Sequence, residues 1–366
     1  MPHWIHTPDA LAAFFRDAPA RIGLDTEFVR ERTFWPQLAL VQIAVDDDIL
    51  LIDPLGAGMP EALRGILANP AILKVMHSAS EDVVALKYAC AAVPAPLFDT
   101  QIAAALAGIG AGMGYQKLVE QLTGVALAKG ETRSDWLRRP LSESQLHYAA
   151  DDVRYLFQMH DALSARLLEH DRAGWLHEDS QRLLENSQQD EGERWPHLSM
   201  RSAQFLDPPA QRRLLRLLRW RDVQARRTDK PRSWILDNEM AVALARTPPG
   251  DRTALTRWLD AQPKAPRKLA DALWTALDTP LDDEMQAPEV RVASDRDKSL
   301  LKKLQDAVTA QSQALGLPDG VLASRRTLEA LLDARHQGED PWQGGLAGWR
   351  RKHLEPVLAP LLNAAD

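Results

Sequence analysis

Asp25 and Glu27 stand two residues apart at the end of a short apolar run, Ile22–Leu24. In an extended strand alternate side chains share a face, so the two carboxylates project to one side. Carboxylates one pleat apart repel unless a cation lies between them, and hard oxygen ligands suit Mg²⁺ or Mn²⁺. A third carboxylate, Asp82, follows in His77-Ser78-Ala79-Ser80-Glu81-Asp82, where an apolar run passes into a helical stretch. Asp82 falls in the first helical turn, where the helix dipole favours an acid, and Ser80 is a natural N-cap. Taken singly, a solvated strand end accounts for Asp25 and Glu27, and a capped helix start accounts for Asp82.

A further acid comes from Tyr148-Ala149-Ala150-Asp151-Asp152. At 100° per residue, positions four apart lie about 40° from each other on one face. Tyr148 and Asp152 therefore form one pair, and His147 and Asp151 another. The apolar stripe Leu146, Ala149, Ala150, Val153, Phe157, Leu163 has Tyr148 and Asp152 at its edge, whereas His147 and Asp151 point toward water.

Positioning these groups requires a sheet. The runs Ile22–Leu24, Leu38–Val45, Ile49–Ile52 and Ile72–Met76 are predicted strands, and Asp46-Asp47-Asp48 is turn chemistry that makes the second and third a hairpin. Helices are predicted over Pro60–Ala68, Ser80–Tyr88 and Thr100–Ala107. From Ser142 the stripe predicts one long helix packed on the sheet. Beyond Trp175 only helical stretches follow, divided at Pro208-Pro209, Pro248-Pro249-Gly250, Pro263–Pro266 and Leu317–Gly320. A polar, proline-bearing segment from Asp278 to Asp297 separates two helical blocks. An α/β mixed-sheet domain followed by two small all-α domains is the expected fold class.

Asp25, Glu27, Asp82 and Asp152 stand in the order and spacing of the DEDD exonuclease superfamily, which the sequence resembles. That superfamily divides by a histidine five residues before the last aspartate or a tyrosine four before it; His147 meets the first spacing and Tyr148 the second. Three longer segments, Leu24-Asp25-Thr26-Glu27-Phe28-Val29-Arg30, Phe34-Trp35-Pro36-Gln37-Leu38 and Ser134-Asp135-Trp136-Leu137-Arg138-Arg139-Pro140-Leu141, are similar to the ribonuclease D family and favour Tyr148. Phe34-Trp35 replaces that family's usual tyrosines, a change that bears on substrate contact. Leu218-Arg219-Trp220-Arg221 with Ala225 resembles the start of a helicase-and-ribonuclease-D C-terminal (HRDC) domain, and Leu322–Arg326 with Gly348-Trp349-Arg350 suggests a second copy.

The resemblance implies a ribonuclease H-like (proofreading-exonuclease-like) domain over residues 1–190 and HRDC-like domains over 208–285 and 295–366. It implies a 3′–5′ exoribonuclease using two divalent ions, Mg²⁺ or Mn²⁺. Asp25 would bridge the two ions, Glu27 and Asp152 would hold the one that activates water, and Asp82 would support the other. Tyr148 would orient the water. The implied substrate is RNA with an accessible 3′ end, such as tRNA precursors, and the implied state a monomer. A 3′–5′ exonuclease acting mainly on DNA would use the same acids, and a catalytically silent RNA-binding scaffold is the alternative from another class.

For substrate contact Phe28 is a candidate to stack on a terminal base, or else a core phenylalanine; Lys129 and Arg133 are candidates for a backbone phosphate. Trp220 and Trp349, among apolar neighbours at helical spacing, are expected in cores.

Composition bounds these readings. With 366 residues, 45% hydrophobic and 26% charged, the chain exceeds one ordinary core, and its lone cysteine, Cys90, can form neither an internal disulfide nor a structural zinc site. Met1–Thr7 has no secretory pattern, and no apolar run approaches the ~20 residues that span a bilayer, so a cytoplasmic protein without membrane association is expected. The net charge of −7 speaks against a strongly basic nucleic-acid binder. Between Gln211 and Arg232, however, nine basic residues face two acidic ones, which leaves room for a local basic surface.

Overall fold

The computed structural model describes residues 2–128, 130–131, 134–189, 192–292 and 294–364. Its sheet has six strands, β1 (His3–Ile5), β2 (Arg21–Val29), β3 (Gln37–Val45), β4 (Asp48–Ile52), β5 (Leu73–Met76) and β6 (Leu97–Asp99), in the order β1-β4-β3-β2-β5-β6. β3 runs antiparallel to β2 and β4, while β1/β4, β2/β5 and β5/β6 are parallel pairs. The four predicted strands are present and β3 and β4 form the expected hairpin. The edge strands β1 and β6 span three residues each, too short for any alternation to register.

Helices α1 (Pro8–Phe14), α2 (Met59–Leu67), α3 (Ser80–Cys90), α4 (Thr100–Leu106) and α5 (Tyr115–Thr123) precede α6 (Glu143–Arg154), α7 (Leu156–Glu169) and α8 (Ala173–Gln188). One sheet face buries Ile22, Leu24, Ile43, Val83 and Leu86, with Cys90 among them. The other receives α6 and α7: Ala44 and Val75 pack with Val153 and Leu156. Gly23 permits this approach, since a Cβ there would lie 3.1 Å from a Leu156 side-chain atom and 3.2 Å from Ala44 Cβ.

The long helix predicted after Ser142 is two helices, broken at Tyr155. The Tyr115 hydroxyl donates to the Asp151 carbonyl at 2.7 Å and accepts the Tyr155 amide at 3.3 Å. It thus intercepts the i to i+4 bond that would have carried the helix through, a recognised cause of kinks. Ser80 also departs from expectation: Ala79 holds the cap position of α3 with no side-chain cap. The Asp99 carboxylate accepts the Ser78 and Ala79 amides at 3.1 and 2.8 Å instead, while also capping α4.

The chain divides into two compact units, residues 1–29, 36–188 and 295–366 in one, and 30–35 with 189–294 in the other. The second is helical: α9 (Pro208–Thr228), α10 (Arg232–Ile235), α11 (Asn238–Arg246), α12 (Arg252–Asp260) and α13 (Ala270–Asp278) surround Leu214, Leu218, Leu244, Leu255 and Leu273. In it, Phe34 is buried against Ala225 and Ile235, and the Phe34 and Trp35 amides donate to Asp229 Oδ1 at 2.9 and 3.0 Å. Phe34 is therefore a packing residue of that unit.

The expected basic surface of α9 is largely consumed internally. Arg216 pairs with Glu284, Arg219 with Asp283, and both Arg226 and Arg232 with Asp222; Arg213 donates to the Ala245 carbonyl. Trp220 is partly buried beside two apolar clusters, as expected.

The last helices, α14 (Asp295–Ala314), α15 (Arg325–His336) and α16 (Trp349–Asn363), belong to the first unit and share a core with α4 to α8. Trp349, 1% exposed, stacks on Trp175 at 4.2 Å and donates its indole N–H to Asp179, which also receives two bonds from Arg350. No helix among the described residues is long and apolar enough to cross a membrane.

Candidate active site

β2 carries Asp25 and Glu27 toward α6, and α6 returns Asp152 to the same place. One ligand oxygen from each of Asp25, Glu27 and Asp152 lies within 4.8 Å of the others, and all three residues are partly buried. β2 slips register against β3 between Glu27 and Phe28, a bulge that ends the regular pairing just past the second acid. Phe28, beyond the slip, packs partly buried against the apolar layer on the α3 side.

Asp82 arrives from the other side of the sheet, in the first turn of α3, and is 8% exposed. The hydroxyl of Thr26, between the two strand acids and facing opposite to them, donates to Asp82 Oδ1. Asp82 stands outside the three-carboxylate group yet close enough to perturb Asp25 and Glu27 electrostatically.

Helix geometry separates the two candidate pairs on α6. Tyr148 faces Asp152, and the two perturb each other: the carboxylate raises the phenol and the phenol lowers the carboxylate. His147 turns its Nδ1 back to the Glu143 carbonyl at 2.8 Å, and Asp151 pairs with Arg154 at 2.8 Å on the exposed face. Ser142 and Gln145 form a capping box that fixes where α6 begins, and with it the phase of both pairs.

The electrostatics of the cluster are those of acids crowded without a counter-charge. Burial, then Asp82, Asp152 and Glu27, raise Asp25 well above the usual carboxylate range. Burial, followed by Asp152 and Asp82, lifts Glu27 to about 8. Asp152 rises to about 7 through burial, against the lowering effect of the Tyr148 hydroxyl. Asp82 rises to about 6, again through burial, against the Thr26 hydroxyl. Tyr148 itself is raised, first by burial and then by Asp152 and Glu27, so its phenol stays protonated at neutral pH. Such a site fits a divalent cation, because only a positive charge lets these acids ionise together.

The segment Ser134–Leu141 supports the site from behind. Trp136, 3% exposed, lies 6.0 Å from the Tyr148 ring and packs with Leu40, Leu51 and Ala149. Arg139 grips Asp53, just past β4, with Nε at 3.0 Å and Nη2 at 2.8 Å, and donates to the carbonyls of Ala39 and Trp136. Burial pushes Asp53 up, but the Arg139 bonds prevail and leave it lowered.

Sequence reasoning missed Asp99, Arg139, Asp53 and Tyr115 as individual supports. Asp99 had a visible signal, an aspartate directly before a helical stretch; the interception by Tyr115 had none. Lys129 and Arg133, nominated for phosphate contact, lie outside the described residues.

A mixed sheet with three convergent carboxylates and a tyrosine facing one of them defines a class of phosphodiester hydrolase, and a family model described as a 3′–5′ exonuclease matches residues 2–168. The chain is 62% identical over 367 residues to the ribonuclease D of Xanthomonas oryzae pv. oryzae, covering all of both chains. It is 35% identical over 375 residues to that of Pseudomonas paraeruginosa, covering 99% of this chain and 98% of the relative. The crystal structure of Escherichia coli RNase D, an exoribonuclease involved in structured RNA processing, is similar with a TM-score of 0.86 and 29% identity over 100% of this chain and 99% of that one. The chain belongs to the ribonuclease D family of 3′–5′ exoribonucleases.

Proposed function

We propose that the chain removes nucleotides one at a time from the 3′ end of RNA by metal-assisted hydrolysis, with tRNA precursors and small structured RNAs as its substrates. The observation that carries this reading is the convergence of Asp25, Glu27 and Asp152 within 4.8 Å, with Tyr148 facing Asp152. Asp25, Glu27, Asp82 and Asp152 would hold two divalent ions, Mg²⁺ or Mn²⁺. Bound there, the ions supply positive charge for the attacking and leaving oxygens of an in-line displacement.

The chain's own residues do the rest. Asp25, which Asp82, Asp152 and Glu27 all perturb, would be the ligand common to both ions. Tyr148, a protonated phenol, orients the attacking water as a hydrogen-bonding partner and not as a base. Trp136 and the Arg139–Asp53 clamp hold the tyrosine ring in place. Phe28, Lys129 and Arg133 serve as contacts to the RNA strand.

In this reading residues 1–190 form the nuclease domain, and 208–285 and 295–366 are HRDC-like domains that widen the grip on structured RNA. The enzyme acts as a cytoplasmic monomer. A time course on an end-labelled tRNA precursor with an unpaired 3′ trailer, beside a matched DNA, with and without chelator, tests the proposal in wild type and Asp25→Asn. Stepwise, chelator-sensitive trimming of the trailer by wild type only is expected. Equal digestion of the DNA, or trimming by Asp25→Asn, would overturn it.

A further inference from the structure

Gln42 is 0% exposed, and among the described residues neither its amide nitrogen nor its carbonyl oxygen has a hydrogen-bond partner. A buried amide left unpaired is costly, so its presence calls for a function. Its register supplies one. In the antiparallel β2/β3 pair Gln42 is directly opposite Asp25, with Leu40 opposite Glu27 and Ala44 opposite Gly23. Directly opposed residues share a face, with Cβ atoms about 5 Å apart. The Gln42 side chain therefore lies on the acid face of the sheet, under α6.

Its other neighbours on that face offer it nothing. Leu40 and Ala44 flank it along β3, and Leu51 opposes it on β4. Ala149 of α6 packs with Leu40 and Leu51 in the same apolar cluster. Asp25 is the polar group directly across from it, with Glu27 on the diagonal. A glutamine reaches across such a pair with a donor that carries no charge. An arginine or lysine in its place would neutralise the carboxylate and compete with a cation for it.

We infer that Gln42 is a positioning residue: its amide N–H donates to the Asp25 carboxylate when that group is a metal ligand, fixing the carboxylate's orientation. The inference rests on the reading of Asp25 as an ion ligand. Donors that orient a ligating carboxylate are typically worth 10–100-fold in metal affinity.

The test is Mn²⁺ binding by titration calorimetry on the full chain without RNA, for wild type, Gln42→Leu, Gln42→Met and Asp25→Asn. Melting temperatures in chelator accompany each titration. The expected result is Mn²⁺ affinity about 10–100-fold weaker in both Gln42 variants, with metal-free melting at or above that of wild type because an unpaired amide has been removed. Affinity within twofold of wild type in both variants would overturn the inference, as would a lost fold in both, which would make Gln42 a core residue only. Weak binding by Asp25→Asn beside intact binding by the Gln42 variants would sink this inference alone. Equal binding by wild type and Asp25→Asn would sink the ion reading itself.

Discussion

Tyr148 faces the Asp152 carboxylate one turn further along α6, each perturbing the other's titration, while the Tyr148 ring lies 6.0 Å from that of Trp136. The hydroxyl and the ring thus have separable roles, one at the site and one in packing. Replacing Tyr148 with Phe keeps the packing and removes the hydroxyl that faces Asp152. Single-turnover trimming of end-labelled RNA should slow by about 10²-fold, with Mn²⁺ affinity changed less than about threefold. Wild-type rates in Tyr148→Phe would remove the tyrosine from the chemistry.

The acid cluster makes the metal-free protein sensitive to pH. Glu27 and Asp152 have folded-state values of about 8 and about 7, above their ordinary ranges. Between those ordinary ranges and these values the folded protein binds more protons than the unfolded chain, so its stability falls as pH rises. The penalty is absent below about pH 4 and complete above about pH 8. Glu27→Gln removes part of it. In chelator the variant should melt about 2–5 °C above wild type at pH 8 and within about 1 °C of it at pH 4, while losing activity. Thermal melts at both pH values check this, and a variant that melts lower at pH 8 contradicts the assignment.

Arg139 binds Asp53 through two nitrogens and also donates to three carbonyls, a geometry that a single ammonium cannot reproduce. Arg139→Lys should destabilise the chain by about 2–3 kcal/mol in urea titration and loosen Trp136 beneath Tyr148, lowering turnover. A variant as stable as wild type would show the clamp to be dispensable.

The basic residues of α9 make a different prediction from the one their number suggests. Arg216 donates to both oxygens of Glu284, which is 5% exposed, at 2.5 and 2.6 Å. Arg216→Met leaves that carboxylate buried and unpaired, which costs about 3–5 kcal/mol. RNA affinity at 0.1 M salt should stay within about threefold, since the lost charge was already neutralised. A large fall in affinity with unchanged stability, read by filter binding and urea unfolding, would restore Arg216 as a phosphate contact.

The sequence by itself determined the acids, their order, the strands that carry two of them and the phase of Tyr148 and Asp152. These are local properties: strand alternation and the 100° helical step follow from backbone geometry, and a capping box such as Ser142/Gln145 fixes the phase without outside help. It determined the helical C-terminal half for the same reason, through periodicity and proline punctuation.

Only the tertiary structure decided what depends on residues far apart in the chain. Tyr115 breaks the predicted helix from 36 residues away, by taking the Asp151 carbonyl. Asp99 displaces Ser80 as the group that organises the start of α3. The arginines of α9 become ion-pair partners because Asp283 and Glu284 fold back onto them. Gln42, unremarkable in an apolar run, is set opposite Asp25 by strand register alone. Each of these is a hydrogen bond, ion pair or strand pairing between distant segments, and no periodicity in the sequence encodes which distant group will meet it.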